Sequence, residues 1–265
     1  MPSAPDSVFI GVSTKMYMGY AQSLAWLEQL VAEVDARPAL AAGRVVPFVI
    51  PLFPVLPEAA RLIAGTPLIL GAQNCGWSDG PWTGEVSPSM LAELGVGLVE
   101  IGHAERRRYF AEDDAMIALK VSAAVDAGLT PLLCVGESEV LEPEAAAAAV
   151  FLQIKAAVSG DWSVASQLVV AYEPVWAIGA PEPAAAEYVS RVVAALRGSL
   201  GQHGLAEIPI IYGGSAKPGL LPQLNGVSGL FLGRFAHDAA NFGRVLDEAL
   251  SFCTADALKA PSKGH

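Results

Sequence analysis

Residues 170–179 read Val-Ala-Tyr-Glu-Pro-Val-Trp-Ala-Ile-Gly, and this stretch decides the fold class. It begins as a short apolar strand, and Glu173 lies where that strand would end, because Pro174 cannot extend a sheet ladder. Gly179 then ends a loop whose backbone could approach a ligand closely. A lone loop glutamate is more often a solvated one, but a carboxylate at the carboxyl end of a strand, before a hinged loop, is typical of the catalytic base of a barrel enzyme.

Strand-like and helix-like segments alternate along the whole chain. Eight such βα units with continuously apolar strands predict an α/β protein of one domain, residues 1–265, folded as a (β/α)₈ barrel. The barrel would span about 8–252, with a frayed tail at 253–265. A doubly wound open sheet is the alternative, but no G-x-G-x-x-G turn opens the first helix. The expected strands begin near Val8, Val45, Pro67, Gly97, Thr130, Leu168, Ile208 and Gly229.

Helix boundaries are readable in two places. Apolar residues at i, i+3 and i+4 spacing between Ala185 and Leu196 predict a helix that stops at Gly198 or Gly201. Ser87 before Pro88 predicts an N-cap with proline at the first helical position.

The composition excludes several classes of protein. The net charge is −11, which argues against nucleic-acid binding, because that needs a basic surface. No apolar run is long enough for a membrane span, and residues 1–7 lack the pattern of a signal peptide, so we expect a cytoplasmic protein. Cys75, Cys134 and Cys253 have no paired spacing, which indicates a reducing compartment and no metal site.

Other strand ends carry polar residues in a recognisable order. Ser13-Thr14-Lys15 follows the first strand, Gly102-His103-Ala104-Glu105-Arg106-Arg107 the fourth, and Tyr212-Gly213-Gly214-Ser215 the seventh. Together with the 170–179 stretch, these motifs resemble the triosephosphate isomerase family from about Phe9 to Leu250.

The resemblance implies proton transfer through an enediolate, without a cofactor, by an intramolecular oxidoreductase of the aldose–ketose type. Glu173 would be the base, His103 the electrophile and Lys15 the cation, the roles that triosephosphate isomerase itself illustrates. Spacing alone would leave His103 a structural histidine and Lys15 a surface lysine. Glu105 resembles the family's second acidic residue, although an ion pair that fixes the first-strand loop explains it equally well.

The resemblance also implies a phosphate site, because backbone N–H groups at tight turns bind phosphate. Arg106 and Glu85 resemble the family's structural ion pair, and Cys134 would pack beside the site. The residues expected to bind substrate or phosphate are Ser13, Gly179, Gly213, Gly214, Ser215, Gly233 and Arg234.

Residues 80–85 resemble the family's protruding third loop. Thr83 would be its tip and would enter the site of a second subunit, which implies a homodimer. A flexible surface hairpin is the alternative, but it would leave Trp82 exposed on a monomer.

The chain departs from the family pattern around these residues. Ser13-Thr14-Lys15 stands where Asn-Trp-Lys is usual, Ala104 replaces a serine, and Arg234 follows Gly233 in place of a second glycine. In the lid, Pro181 lacks an N–H for phosphate and Pro183 stiffens the second hinge.

Smaller side chains beside an intact Lys15, His103 and Glu173 favour the same chemistry on a larger substrate. We therefore expect conversion of L-erythrulose 1-phosphate to D-erythrulose 4-phosphate. Two alternatives stay open: a triosephosphate isomerase acting on dihydroxyacetone phosphate and D-glyceraldehyde 3-phosphate, and a non-catalytic barrel, which the intact residues disfavour.

Overall fold

The computed structural model describes residues 7–179 and 182–259, with side chains as far as Thr254. Over these residues, parallel strands pair in sequence order and the last pairs with the first, which closes a barrel. The predicted (β/α)₈ barrel is confirmed, and each strand begins within two residues of its expected position. The strands are β1 (Val8–Ser13), β2 (Val45–Ile50), β3 (Ile69–Ala72), β4 (Leu98–Ile101), β5 (Thr130–Val135), β6 (Val169–Tyr172), β7 (Ile210–Tyr212) and β8 (Gly229–Leu232).

Helices surround this barrel. The Oγ atom of Ser87 accepts the Met90 N–H and Pro88 begins a helix, as the sequence predicts. A later helix continues through Gly198 and ends at Gly201, because glycine inside a helix costs only about 1 kcal/mol and packing offsets it. The helices are α1 (Tyr20–Asp35), α2 (Leu56–Leu62), α3 (Pro88–Glu93), α4 (Ala104–Phe110), α5 (Asp114–Asp126), α6 (Pro143–Ala157), α7 (Trp162–Ala165), α8 (Ala186–Gly201) and α9 (Ala239–Lys259).

The apolar core has two layers, because alternate strand residues face opposite sides of the barrel wall. Outward-facing residues pack under the helices, and a smaller cluster fills the interior. In that interior the Phe48 and Phe231 rings stack with centroids 5.8 Å apart. Gly11 makes room for them, since a Cβ atom there would lie 1.9 Å from Phe48 Cζ.

The same alternation positions the polar side chains at the carboxyl ends of the strands. Phe9, Leu98 and Ala171 belong to the interior cluster. Inward positions recur every second residue, so Glu100 follows Leu98 and Glu173 follows Ala171. The strand ends therefore direct these carboxylates towards the barrel axis.

Two details differ from expectation. Helix α9 continues to Lys259, so part of the tail that we expected to fray is helical, while residues 260–265 lie outside the described part of the chain. Arg106 pairs with Glu112, which also accepts from the buried Lys120, and not with Glu85. Glu112 lies six residues beyond Arg106, and the left-handed backbone of Ala111 turns the chain so that the two side chains meet. The sequence motif does not show this turn. In the described residues, no helix is long and apolar enough to cross a membrane.

Candidate active site

A cavity of about 340 Å³ opens at the carboxyl ends of the strands. It brings together residues that follow β1, β4, β6, β7 and β8, which are distant in the sequence. Its lining includes every residue that the sequence predicts for chemistry or for substrate and phosphate binding: Ser13, Lys15, His103, Glu105, Glu173, Gly179, Gly213, Gly214, Ser215, Gly233 and Arg234.

Three side chains meet at the deep end of this cavity. Lys15 Nζ lies 2.9 Å from His103 Nε2, and His103 Nε2 lies 3.4 Å from Glu173 Oε2. His103 and Glu173 are buried, whereas Lys15 is partly exposed. A cation, an imidazole and a carboxylate thus converge on one small space, in which a bound molecule would touch all three.

The imidazole of His103 is oriented by the start of α4. Its Nδ1 atom accepts the Glu105 backbone N–H at 3.2 Å, which makes His103 the N-cap of this helix. A neutral ring that accepts at Nδ1 carries its proton on Nε2. The other ring nitrogen, Nε2, faces the cavity, 2.9 Å from Lys15 Nζ and 3.4 Å from Glu173 Oε2.

Glu173 is a buried carboxylate with an unsatisfied oxygen. Burial raises its pKa, and the negative charges of Glu100 and Glu105 act in the same direction, while His103 and Lys15 oppose them. Among the described residues no hydrogen-bond donor satisfies Glu173 Oε2.

Gly213 gives Glu173 its space, since a Cβ atom at residue 213 would lie 2.5 Å from Glu173 Oε1. The carboxylate is therefore packed closely on one side, and its free oxygen remains available to accept a proton.

Lys15 is held in an unusual backbone conformation, with φ of 51°. Left-handed backbone costs a non-glycine residue about 1–3 kcal/mol, and it recurs at functional sites. Burial lowers the pKa of Lys15, but the carboxylates of Glu100, Glu173 and Glu105 outweigh that effect and raise the pKa. Lys15 is therefore a permanent cation at this site.

Glu100, on β4, is a site residue that our sequence analysis missed. Its carboxylate accepts from Ser13 Oγ at 2.8 Å and from Lys15 Nζ at 3.0 Å. Burial raises its pKa, but the charges of Lys15 and His103 outweigh burial and leave the pKa lowered. The available signal was a charged residue inside a four-residue apolar strand, at a position that faces inward.

The outer part of the cavity is rich in glycine backbone and cations. Gly179, Ser215 and Gly233 line it, and the guanidinium of Arg234 lies 5.7 Å from the Tyr17 ring centroid. Three further lining residues carry polar side chains that the motifs did not single out, and they are Tyr17, Lys217 and His237.

Hydrogen bonds anchor both ends of the loop after β6. Trp176 Nε1 donates to Glu137 Oε1 at 2.8 Å on one side, and the Ala184 N–H donates to the Tyr212 hydroxyl at 3.1 Å on the other. Ala180 and Pro181 lie outside the described part of the chain. The expectation that Pro181 cannot donate to phosphate therefore stays a prediction.

Three small residues are expected to leave space for a larger substrate, and one of them faces the cavity. Ser13 lines the cavity. Thr14 is fully buried, with its hydroxyl directed at the Lys15 carbonyl. Ala104 borders a separate space of about 20 Å³ behind Glu173. The sequence shows which residues are small but not which way their side chains face.

Thr83 lies apart from this cavity. It is exposed in the loop between β3 and α3, beside Trp82, whose ring centroid lies 4.8 Å from that of Trp77. Within one chain the tip of this loop does not line the cavity, whereas Gln73, at the start of the loop, donates to the Lys15 carbonyl at 2.8 Å.

Comparison with known proteins identifies the family. The family model for triosephosphate isomerase matches residues 8–249. The chain belongs to the triosephosphate isomerase family. The resemblance expected from the motifs is confirmed over most of the chain.

Individual relatives carry two different names. An L-erythrulose-1-phosphate isomerase of Pectobacterium atrosepticum is 49% identical over 91% of this chain and 95% of its own length. Another, of Mesorhizobium japonicum, is 39% identical over 91% and 96%. A triosephosphate isomerase of Thermoanaerobacter pseudethanolicus is 37% identical over 88% and 96%. The crystal structure of triosephosphate isomerase from Bartonella henselae superposes with a TM-score of 0.77 at 31% identity, covering 91% of this chain and 98% of that one.

Proposed function

We propose that the protein is a sugar-phosphate isomerase that converts L-erythrulose 1-phosphate to D-erythrulose 4-phosphate. The observation that carries this proposal is the convergence of Lys15, His103 and Glu173 at the deep end of a cavity lined further out by glycine backbone. The reaction moves a carbonyl between neighbouring carbons, which requires one base that serves both carbons and one donor that serves both oxygens.

The chemistry assigns one step to each group. Glu173 removes the proton from carbon 3, and the electrons form a carbon–carbon double bond while the carbonyl oxygen on carbon 2 becomes an oxyanion. His103 gives its Nε2 proton to that oxygen and takes the proton from the hydroxyl on carbon 3. Glu173 then returns its proton to carbon 2. One C–H and one O–H have each moved by one carbon, and both side chains end in their starting states.

Lys15 stabilises the negative charge that develops on oxygen. A fixed cation in a partly buried site is stronger there than in water, because the local dielectric is lower. The N–H groups near Gly179, Ser215 and Gly233, with Arg234, would hold the phosphate and keep it apart from the base.

The size of the substrate distinguishes the two candidate reactions. L-erythrulose 1-phosphate is dihydroxyacetone phosphate with a CH₂OH group in place of one hydrogen on the reacting carbon. The names of the 49% and 39% identical relatives support the tetrulose phosphate. A serine at residue 13, at the cavity wall, also supports it, because a small polar side chain both leaves room and can bond a hydroxyl. The triosephosphate isomerase at 37% identity keeps the triose reaction as the second candidate.

We also propose a cytoplasmic homodimer. Among the large apolar side chains that are exposed, Met16 follows β1, Trp82 lies between β3 and α3, and Met90 lies on α3. A second copy would cover these three. Cys75 and Cys134 are buried free thiols, which fits a reducing compartment.

Steady-state kinetics on both substrates tests the proposed reaction. We expect kcat/KM for L-erythrulose 1-phosphate to exceed that for D-glyceraldehyde 3-phosphate by about tenfold or more, since one hydroxyl bonded in the transition state is worth at least about 1.4 kcal/mol. A preference for the triose would assign the protein to the second candidate reaction.

A further inference from the structure

Glu100 ties together two strands that are not neighbours in the barrel. It lies on β4, while Ser13 ends β1, and β2 and β3 separate the two strands along the wall. The hydrogen bond from Ser13 Oγ to Glu100 Oε2 and the ion pair with Lys15 therefore cross the barrel interior. A charge inside a barrel is costly unless it is paired and hydrogen-bonded, and Glu100 meets both conditions.

A second carboxylate near Lys15 is placed quite differently. Glu105 Oε2 lies 3.9 Å from Lys15 Nζ and the Glu105 side chain is 46% exposed, against 3.0 Å and 2% for Glu100. Water screens an exposed ion pair and leaves its side chains mobile, whereas a buried pair is screened much less. Of the two, Glu100 is the fixed counter-charge.

We propose that Glu100 is the positioning residue of this site, which fixes the Lys15 ammonium beside His103 and holds the Ser13 hydroxyl so that its oxygen can accept from substrate. This role rests on the function proposed above. Of the two carboxylates near Lys15, the resemblance to the family pointed to Glu105 and assigned no role to Glu100.

The bond from Ser13 to Glu100 also determines what Ser13 can recognise. A serine hydroxyl has one proton, and here that proton is committed to Glu100. Towards the cavity Ser13 can then only accept, so it matches a substrate hydroxyl that donates. The hydroxyl groups of a sugar can donate. The Ser13–Glu100 pair therefore favours a substrate that places a hydroxyl group beside Ser13.

The charge of Glu100 also acts on the base. The ionisable groups around Glu173 are Lys15 after β1, Glu100 and His103 on and after β4, Glu105 on α4, Cys134 on β5 and Tyr212 on β7. Removing the negative charge of Glu100 lowers the pKa of Glu173, because one repulsion is lost and Lys15 is freed to face the base. The acid limb of the rate profile would then move to lower pH.

The test compares Glu100→Gln with Glu105→Gln and with Asp126→Asn, an exposed control at the end of α5. Each variant is assayed with the substrate that the wild-type protein turns over best. We expect Glu100→Gln to lose at least about tenfold in kcat, equivalent to about 1.4 kcal/mol, with a smaller change in KM. We expect Glu105→Gln to lose less than Glu100→Gln, and Asp126→Asn to match the wild type. The acid limb of kcat/KM should move to lower pH in Glu100→Gln and stay in place in Glu100→Asp, which keeps the charge.

Two results would overturn the role of Glu100. One is a folded Glu100→Gln protein within twofold of wild-type kcat and with an unmoved acid limb. The other is an equal or larger loss in Glu105→Gln. If Glu100→Gln does not fold, the double variant Ser13→Ala/Glu100→Leu removes the buried carboxylate together with the hydroxyl that donates to it, and it carries the same expectation for kcat. If the wild-type protein turns over neither sugar phosphate, both the proposed function and this role are wrong. If the wild type is active and Glu100→Gln behaves like it, only the role of Glu100 is wrong.

Discussion

His103 Nε2 and Glu173 Oε2 face each other at 3.4 Å, although they follow different strands, β4 and β6. The parallel arrangement places the carboxyl ends of both strands at the same rim of the barrel. An acid–base pair at that separation can reach adjacent atoms of one small substrate.

Glu173→Gln should abolish turnover and leave the fold intact. The substitution keeps the shape and removes the base, which typically costs on the order of 10²–10⁴ in rate or more. Steady-state kinetics with circular dichroism as a fold check measures this, and Glu187→Gln, at an exposed site on α8, is the matched control. A folded variant that retains more than about a tenth of wild-type kcat would remove Glu173 from the role of base.

The raised pKa of Glu173 affects both the rate and the stability of the protein as the pH changes. Because the base must be deprotonated, the acid limb of kcat/KM should lie above the ordinary pKa of a glutamate. A raised pKa in the folded state adds stability below the unfolded pKa, and that stability is lost as the pH rises through the folded pKa. Glu173→Gln should therefore raise Tm relative to wild type at pH 7 and much less at pH 4. Equal differences in Tm at both pH values would contradict this assignment.

Tyr212→Phe should weaken the closed lid without touching the chemical groups. It removes the acceptor of the Ala184 N–H, and one hydrogen bond contributes about 0.5–1.5 kcal/mol. We expect about two- to tenfold weaker binding of 2-phosphoglycolate by calorimetry, with Tyr109→Phe, at an exposed tyrosine, as the control.

In wild-type protein, the same ligand should slow amide exchange across 177–179 and 182–184. Exchange that saturating ligand leaves unchanged would mean that this loop does not act as a lid.

Trp82→Glu should dissociate the proposed dimer. A charge placed in an apolar interface is costly because it is desolvated without a partner. We expect sedimentation at micromolar concentration to show a dimer for the wild type and monomer with reduced kcat for the variant. Leu152→Glu places the same charge on the exposed face of α6 and should leave both properties unchanged. Fully active wild-type monomer would refute the dimer.

The sequence predicted the fold and family well, because both depend on local patterns. The strands begin where apolar runs follow turn residues. Ser87 and Pro88 are adjacent in the sequence, and together they specify the N-terminus of α3. The cavity lining also followed from the sequence, since residues such as His103 and Glu173 stand directly after strands. Their chemical roles stay predictions.

Contacts across the barrel could not be predicted in the same way. The bond between Ser13 and Glu100 joins residues 87 positions apart, and it depends on the register of the intervening strands. The pairing of Arg106 with Glu112 depends on one left-handed residue between them, Ala111. The direction in which Ala104 faces depends on how α4 begins. Such geometry is a property of the closed barrel and not of any single segment.

The left-handed backbone at Lys15 places a limit on engineering the protein. Glycine adopts φ near 51° without strain, so Lys15→Gly should unfold at a higher temperature than Lys15→Ala. Relief of this strain would therefore come with loss of the side chain that supplies positive charge beside His103. Heat-resistant variants of this barrel should be screened for turnover in the same round, and residue 15 should be held constant in any library.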